Sequence, residues 1–193
     1  MNSRPLPNGT SVLALVSDET QELCLERVPE SPRLLVVSYA DTDADADTDA
    51  DTNTDAIRDR FRAVDPSEVR VVEATKDTPA TEHSRGQVRR EAPDDLSGIG
   101  LQINEALTRW HGGDESIVVV FDSLTALLDH VTVEDAFSFL HLVSGRVEHS
   151  NGIGWYRLDP AAHDQTTVAT FEHLFDAVVT TGPRGTSVEV RNR

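Results

Sequence analysis

Cysteine, long hydrophobic runs and metal-binding motifs are scarce in this sequence of 193 residues. Cys24 is the only cysteine, so no disulfide can form within the chain, and we expect a reducing, cytoplasmic location. The apolar run from Val12 to Val16 is too short for a signal segment or a membrane span, so we expect no membrane association. Seven histidines are scattered without HExxH spacing or a cysteine partner, and the sequence therefore predicts no metal site.

The charge of the chain is strongly one-sided. Asp and Glu number 34 against 17 basic residues, the formal net charge is −17, and Lys76 is the only lysine. Such an acidic surface resembles those of proteins from salt-loaded haloarchaeal cytoplasm, where molar salt shortens the Debye length to about 3 Å and screens self-repulsion. An ordinary acidic protein is the alternative. Because the charge disfavours binding to nucleic acid or to anionic membrane, we expect protein partners or a second copy of the chain.

The segment from Ile117 to Leu128 organises the chain. Five apolar residues without alternation, IVVVF, end at Asp122, and Ser123 and Thr125 follow. A continuous run of this kind is typical of a strand that is buried on both faces of a parallel sheet. Ligands of open α/β sheets bind beyond the carboxyl ends of the strands, so Asp122 is the first candidate for a functional site.

Similar apolar runs recur along the chain and alternate with amphipathic segments. The predicted strands are residues 12–17, 34–39, 69–74, 117–121 and 153–158, followed by a hairpin of residues 177–181 and 187–190. Helices are predicted after the caps Asp18, Thr132 and Asp164, over residues 55–64, and from Leu96 to Trp110, with the last predicted helix carrying Val168, Phe171, Leu174 and Phe175. This alternation predicts one α/β domain over residues 1–193, with a mostly parallel sheet, helices on both faces and a C-terminal β-hairpin.

Aspartate occupies every second position from Asp41 to Asp51. D-x-D-x-D also opens a calcium-binding EF-hand loop, but that loop needs glycine at its sixth position and glutamate at its twelfth. Ala46 and Thr52 stand there instead. We predict that residues 41–54 are a disordered, low-complexity acidic insertion.

A second unusual segment is the predicted loop from Lys76 to Asp95, which holds His83, Arg85, Arg89 and Arg90. It is the one basic patch on an acidic chain. Contact with an anion or a nucleic acid is one interpretation, and charge compensation against nearby carboxylates is the favoured one, because no aromatic residues are interleaved.

Two segments resemble the RecA/KaiC-like P-loop ATPases. IVVVFDSLTALL resembles their Walker-B strand, and DDLSGIGLQINEALTRW resembles the helix before it. The order of elements resembles this superfamily over nearly the whole chain outside the acidic run, and most closely its short haloarchaeal members without a recognisable phosphate loop. The resemblance implies a RecA-like, P-loop NTPase-type core in which Asp122 and Ser123 are a vestigial Walker-B site.

The phosphate loop of that superfamily is not recognisable. G-x-x-x-x-G-K-[ST] would follow the first strand, so that backbone N–H groups and a lysine hold the phosphates. The vestigial phosphate-loop position is Ser17, Asp18, Glu19 and Thr20, followed by Gln21 and Glu22, with no glycine or lysine. Two unit charges about 4 Å apart repel by ~4 kcal/mol at an effective dielectric of 20, so three carboxylates here oppose a triphosphate. Thr20 could be a surviving magnesium ligand, but helix capping explains it better.

Two further positions of that superfamily differ or have a simpler explanation. Ala40 and Asp41 stand where the family usually carries its water-activating glutamate. His163 and Asp164 follow the fifth strand, a place where the family can sense a γ-phosphate, although Asp164 is more simply a helix cap.

The sequence therefore predicts the fold of this superfamily without its catalysis. We predict no catalytic residue and no cofactor in a RecA/KaiC-like domain that acts in regulation or signalling through protein–protein contacts. The alternative is an ATPase that binds ATP and Mg²⁺ at an atypical phosphate site. A third hypothesis is a DNA-repair accessory protein that keeps a RecA-like surface.

Overall fold

The computed structural model describes residues 6–16, 29–39, 66–76, 88–182 and 185–190. The strands in these ranges are β1 (Ser11–Leu15), β2 (Arg33–Tyr39), β3 (Glu68–Ala74), β4 (Val88–Glu91), β5 (Ile117–Phe121), β6 (Ile153–Leu158), β7 (Ala177–Gly182) and β8 (Gly185–Val190). They form one sheet in the order β4-β3-β2-β5-β6-β1-β7-β8. All neighbours are parallel except β7 and β8, which pair antiparallel. The predicted α/β fold with a mostly parallel sheet and a C-terminal hairpin is confirmed.

β5 lies in the interior of the sheet, between β2 and β6. Val120 stands opposite Val36 on one side and Trp155 on the other. All five residues of β5 are buried. An unbroken apolar run fits this place because, in a strand that is paired on both sides and buried on both faces, no side chain reaches water.

Four helices lie in the described part of the chain: α1 (Leu96–Trp110), α2 (Leu124–Leu128), α3 (Val133–His149) and α4 (Gln165–Glu172). Each begins at a side chain that accepts a hydrogen bond from the backbone N–H three residues later; these N-caps are Asp95, Ser123, Thr132 and Asp164. A cap of this kind contributes about 1 kcal/mol. No helix among the described residues is both long and apolar enough to cross a bilayer.

The sheet separates two hydrophobic clusters, because alternate residues of a strand point to opposite faces. Leu35 and Val37 belong to the cluster on the helical face, whereas Leu34 and Val36 belong to the other. All four described helices contribute their buried residues to the first cluster. The two other predicted helices, after Asp18 and over residues 55–64, lie outside the described residues.

The structure corrects the sequence interpretation at three places. Residues 88–91, predicted as loop, form the edge strand β4, which pairs with β3. The short helix α2 was not predicted. α4 ends at Glu172, so Leu174 and Phe175 are buried beyond the helix and not on it.

Three predicted features lie outside the described residues. They are the junction from Ser17 to Thr20 with its following helix, the acidic segment 41–54, and the helix of residues 55–64. Most of the basic segment, residues 77–87, lies outside them as well.

Candidate functional site

The connections that follow β2 and β5 lead to neighbouring strands on opposite sides. From β2 the chain continues to β3 on one side, and from β5 it continues to β6 on the other. The carboxyl ends of two such strands flank a topological switch point, where open α/β sheets form their ligand crevice. The residues at this place are Ser38 and Tyr39 at the end of β2 and Asp122 directly after β5.

Asp122 links the two strand ends. Its backbone N–H donates to the carbonyl of Val37 (3.0 Å), and its Oδ2 accepts a hydrogen bond from Ser38 Oγ (3.1 Å). Ser38 is buried and Asp122 is half-buried. Next to Asp122, Ser123 Oγ accepts from the backbone N–H of Ala126 (3.1 Å) and caps α2.

Thr125 and His163 form a second polar contact at the same edge. Thr125 Oγ1 accepts a hydrogen bond from the backbone N–H of Asp159 (3.1 Å), which follows β6, and lies 3.2 Å from His163 Nε2. This contact ties α2 to the loop after β6. Asp164 caps α4, and the backbone N–H of Thr167 lowers the pKa of its carboxyl below the usual range.

Tyr39 and His130 form a third contact, which the sequence did not indicate. Their rings are stacked with centroids 6.3 Å apart. The Tyr39 hydroxyl is buried without a hydrogen-bond partner among the described residues, and burial raises the pKa of this phenol above its usual range. The one sequence signal for this edge of β2 was Ser38, a lone polar residue inside the apolar run LLVVSY.

The end of β1, which precedes the predicted vestigial phosphate-loop position in the sequence, lies at the same edge of the sheet. The backbone N–H of Val16 donates to the carbonyl of Leu158 at the end of β6 (3.1 Å). One strand, β6, therefore separates the end of β1 from β5 and Asp122. Ser17, Asp18, Glu19 and Thr20 themselves lie outside the described residues.

Two of the described basic residues of the 76–95 segment lie in the sheet. Arg89 and Arg90 belong to β4, and Arg90 Nε donates to Glu73 Oε2 (2.6 Å) in a mostly buried ion pair. Charge compensation, the favoured interpretation, therefore applies to Arg90.

A second arginine–carboxylate contact lies at the amino end of β3. Glu68 accepts hydrogen bonds from Trp110 Nε1 (2.9 Å) and from Arg70 Nε (3.1 Å). Burial alone would raise the pKa of Glu68, but these two hydrogen bonds and the charge of Arg70 lower it overall. Trp110 is buried in the helical-face cluster.

A concave surface lies away from Asp122, between α1 and α3. We call it the α1/α3 groove; its volume is about 850 Å³. It is lined by Asp94, Leu96, Ser97, Gly100, Ile103, Asn104, Val131, Asp135, Ser138, Phe139, His141, Leu142, Val143, Ser144, Gly145, Arg146 and Glu148. None of the polar side chains at the ends of β2, β5 and β6 belongs to it. Among the described residues, no three His, Cys, Asp or Glu side chains are grouped so that they could hold a metal ion.

Comparison with known proteins identifies the family. A model described as "Family of unknown function (DUF7504)" matches residues 9–181, from just before β1 into β7. The chain belongs to this family. The DUF7504 match therefore contains Asp122, Ser38, Thr125 and the α1/α3 groove. No curated protein matches the chain.

Two solved structures from Pyrococcus horikoshii share the fold of this DUF7504 member. One is PH0250 from strain OT3, with a TM-score of 0.59 and 15% sequence identity over 97% of this chain and 89% of that chain. The other is the uncharacterized protein PH0321 in complex with an unknown peptide, with a TM-score of 0.59 and 10% identity over 96% of this chain and 84% of that chain. Likenesses at these identities concern the fold alone.

Proposed function

We propose that this DUF7504 member is a non-catalytic, RecA/KaiC-like domain that acts through protein contacts in regulation or signalling. The observation that carries the proposal is the contact of Asp122 with Ser38. The side chain that a Walker-B site would use for magnesium accepts a hydrogen bond from the neighbouring strand.

The surrounding hydroxyls support the same proposal. Ser123 caps α2, and Thr125 accepts from the backbone after β6, so both hydroxyl oxygens serve local structure. A phosphate site also needs a nest of N–H groups and a lysine. The sequence after β1 offers Asp18, Glu19 and Glu22 at that position.

Protein contact is the mode of action that the rest of the surface favours. A net charge of −17 disfavours nucleic acid and anionic lipid, whereas the α1/α3 groove exposes apolar side chains. PH0321, which shares the fold, is in complex with an unknown peptide, and the proposal extends that kind of ligand to this chain.

A nucleotide-binding ATPase with an atypical phosphate site is the second candidate function. The observation that favours it is the position of Asp122, half-buried at the carboxyl end of β5 and beside the switch point between β2 and β5. Thr125 and His163 lie at the same edge, where a bound phosphate would meet them.

Urea unfolding of the wild type and Asp122→Asn, with and without Mg-ATP in molar KCl, distinguishes the two candidates. A ligand that binds the folded state at 100 times its dissociation constant stabilises it by about 2.7 kcal/mol. Our proposal predicts no such shift for either protein. Stabilisation of the wild type that Asp122→Asn loses would make Asp122 a metal ligand and would favour the ATPase.

A further inference from the structure

Small residues, among them Gly100 and Gly145, stand among the residues that line the α1/α3 groove. Both helices follow strands of the parallel sheet, so they run side by side from its carboxyl edge towards its amino edge. A Cβ at Gly100 would lie 3.4 Å from Phe139 Cε2, which is ordinary van der Waals contact between the two helices. A Cβ at Gly145 would have no atom within 4 Å, so Gly145 opens directly onto the groove.

One exposed leucine lines the groove, and a second follows a lining residue on α1. Leu142 on α3 is 70% exposed and lines it, and Leu101, 56% exposed, follows Gly100 on α1. Phe139 and Val143 are buried beneath this surface. Aliphatic side chains this exposed and next to an apolar concavity indicate a contact surface.

The length of the groove favours an extended ligand over a compact one. On α3 its lining runs from Asp135 to Glu148, which at 1.5 Å per residue is about 20 Å. Grooves between helices bind amphipathic helices through apolar side chains at i, i+3 or i+4, and i+7. A helix of about 14 residues covers this distance.

The charged residues around the groove indicate which kind of ligand helix it would bind. Asp94 and Asp135 lie at the end near the N-termini of α1 and α3, and Glu148 lies at the other end. Arg146 is the one Lys or Arg among the lining residues. On a chain of net charge −17, this surface is complementary to a basic ligand and repels a second copy of itself.

We propose that the α1/α3 groove binds a basic, amphipathic helix of a partner protein. Its apolar face packs on the exposed Leu142, above the buried Phe139, and its Arg or Lys residues pair with Asp94 and Asp135. This inference rests on the proposed function, because it names the surface and the partner class through which a non-catalytic domain acts.

Two synthetic helical peptides of about 18 residues, or about 27 Å, serve as probes. Both carry leucine at i, i+4, i+7 and i+11; the flanking positions are arginine in one and glutamate in the other. Fluorescence anisotropy with the full chain is measured in molar KCl, where the Debye length of about 3 Å leaves only charges in direct contact. We expect saturable binding of the arginine peptide and at least about tenfold weaker binding of the glutamate peptide.

Gly145→Trp adds a bulky side chain at a lining position where a Cβ would meet no atom within 4 Å, and we expect it to weaken binding of the arginine peptide by about tenfold or more. Thr166→Trp, an exposed position on α4 outside the groove, is the matched control and should bind like the wild type. Thermal unfolding shows that both variants fold. Leu142→Ser tests the apolar contact without adding bulk and should also weaken binding.

Equal affinity for both peptides, no binding of either, or binding unaffected by Gly145→Trp would each overturn the proposal. A wild type that sediments as a dimer and a Gly145→Trp variant that sediments as a monomer would also overturn it, because the occupant of the groove would then be a second copy of the chain. If neither peptide binds and Mg-ATP does not bind either, the proposal for the groove is wrong, but the non-catalytic function is still supported. Micromolar binding of Mg-ATP rejects that function whatever the peptides do.

Discussion

The hydrogen bond between Ser38 and Asp122 should stabilise the junction of β2 and β5 by a measurable amount. Ser38 is 8% exposed, and Asp122 is half-buried. A hydrogen bond to a charged group contributes about 1.5–3 kcal/mol, and partial access of water to the carboxylate places this one at the lower end. We therefore expect Ser38→Ala to cost about 1–1.5 kcal/mol.

Substitutions at Asp122 should separate the shape of the side chain from its charge. Asp122→Asn keeps an acceptor oxygen for Ser38 and should cost about 1 kcal/mol or less. Asp122→Ala removes every acceptor and should cost about 1–3 kcal/mol. The alanine variant should lose more than Ser38→Ala because Asp122 makes a further interaction.

A double-mutant cycle of Ser38→Ala and Asp122→Ala, measured by urea unfolding in molar KCl, isolates the pair. We expect a coupling energy of about 1 kcal/mol, since residues in direct contact couple by ~0.5–3 kcal/mol. Additivity within about 0.3 kcal/mol would show that the hydrogen bond contributes nothing. An Asp122→Ala variant more stable than the wild type would refute the structural role, because groups kept at a cost to stability are typical of functional sites.

Three further predictions concern the rest of the chain. Far-UV circular dichroism should show loss of structure as KCl falls from molar to tens of millimolar, because the net charge of −17 is then poorly screened; an unchanged spectrum and melting temperature would contradict this. Gly145→Ala should raise the free energy of unfolding by about 0.5–1 kcal/mol because the site is helical and open. Gly112→Ala should lower it by about 1 kcal/mol because Gly112 has φ +81°. Changes of the same sign for both variants in urea titrations would contradict the reasoning. The pKa of Glu68 is lowered in the folded state, so its carboxylate stabilises the fold at neutral pH, and this stabilisation is lost as the pH falls from the ordinary glutamate pKa through the lowered one. The loss of unfolding free energy caused by Glu68→Gln should therefore shrink in acid. A loss that is constant with pH would contradict the assignment.

The interior of the fold was predictable because burial on both faces leaves an unbroken apolar run. β5 and β6 end where the sequence predicted, and α1 begins and ends at the predicted residues. The edge strand β4 was not predictable in the same way. Its sequence VRRE has one apolar residue, and it becomes a strand by pairing with β3, where Glu73 accepts from Arg90.

The candidate site was predictable only in part. Asp122 was visible because a carboxylate directly after a buried strand lies at the edge where ligands bind. Its partner Ser38 lies 84 positions away along the chain, and no local pattern specifies a contact across that distance. The stacking of Tyr39 on His130 and the open face of Gly145 depend in the same way on how distant elements pack.

A calorimetric titration of Mg-ATP into the full chain in molar KCl tests the non-catalytic function most directly. The sequence after β1 lacks the glycines and the lysine of a phosphate loop, and Asp122 is engaged with Ser38. We therefore predict no binding tighter than about 1 mM, or about −4 kcal/mol. A saturable isotherm with a dissociation constant in the micromolar range would contradict the account and would establish a nucleotide site without a conventional phosphate loop.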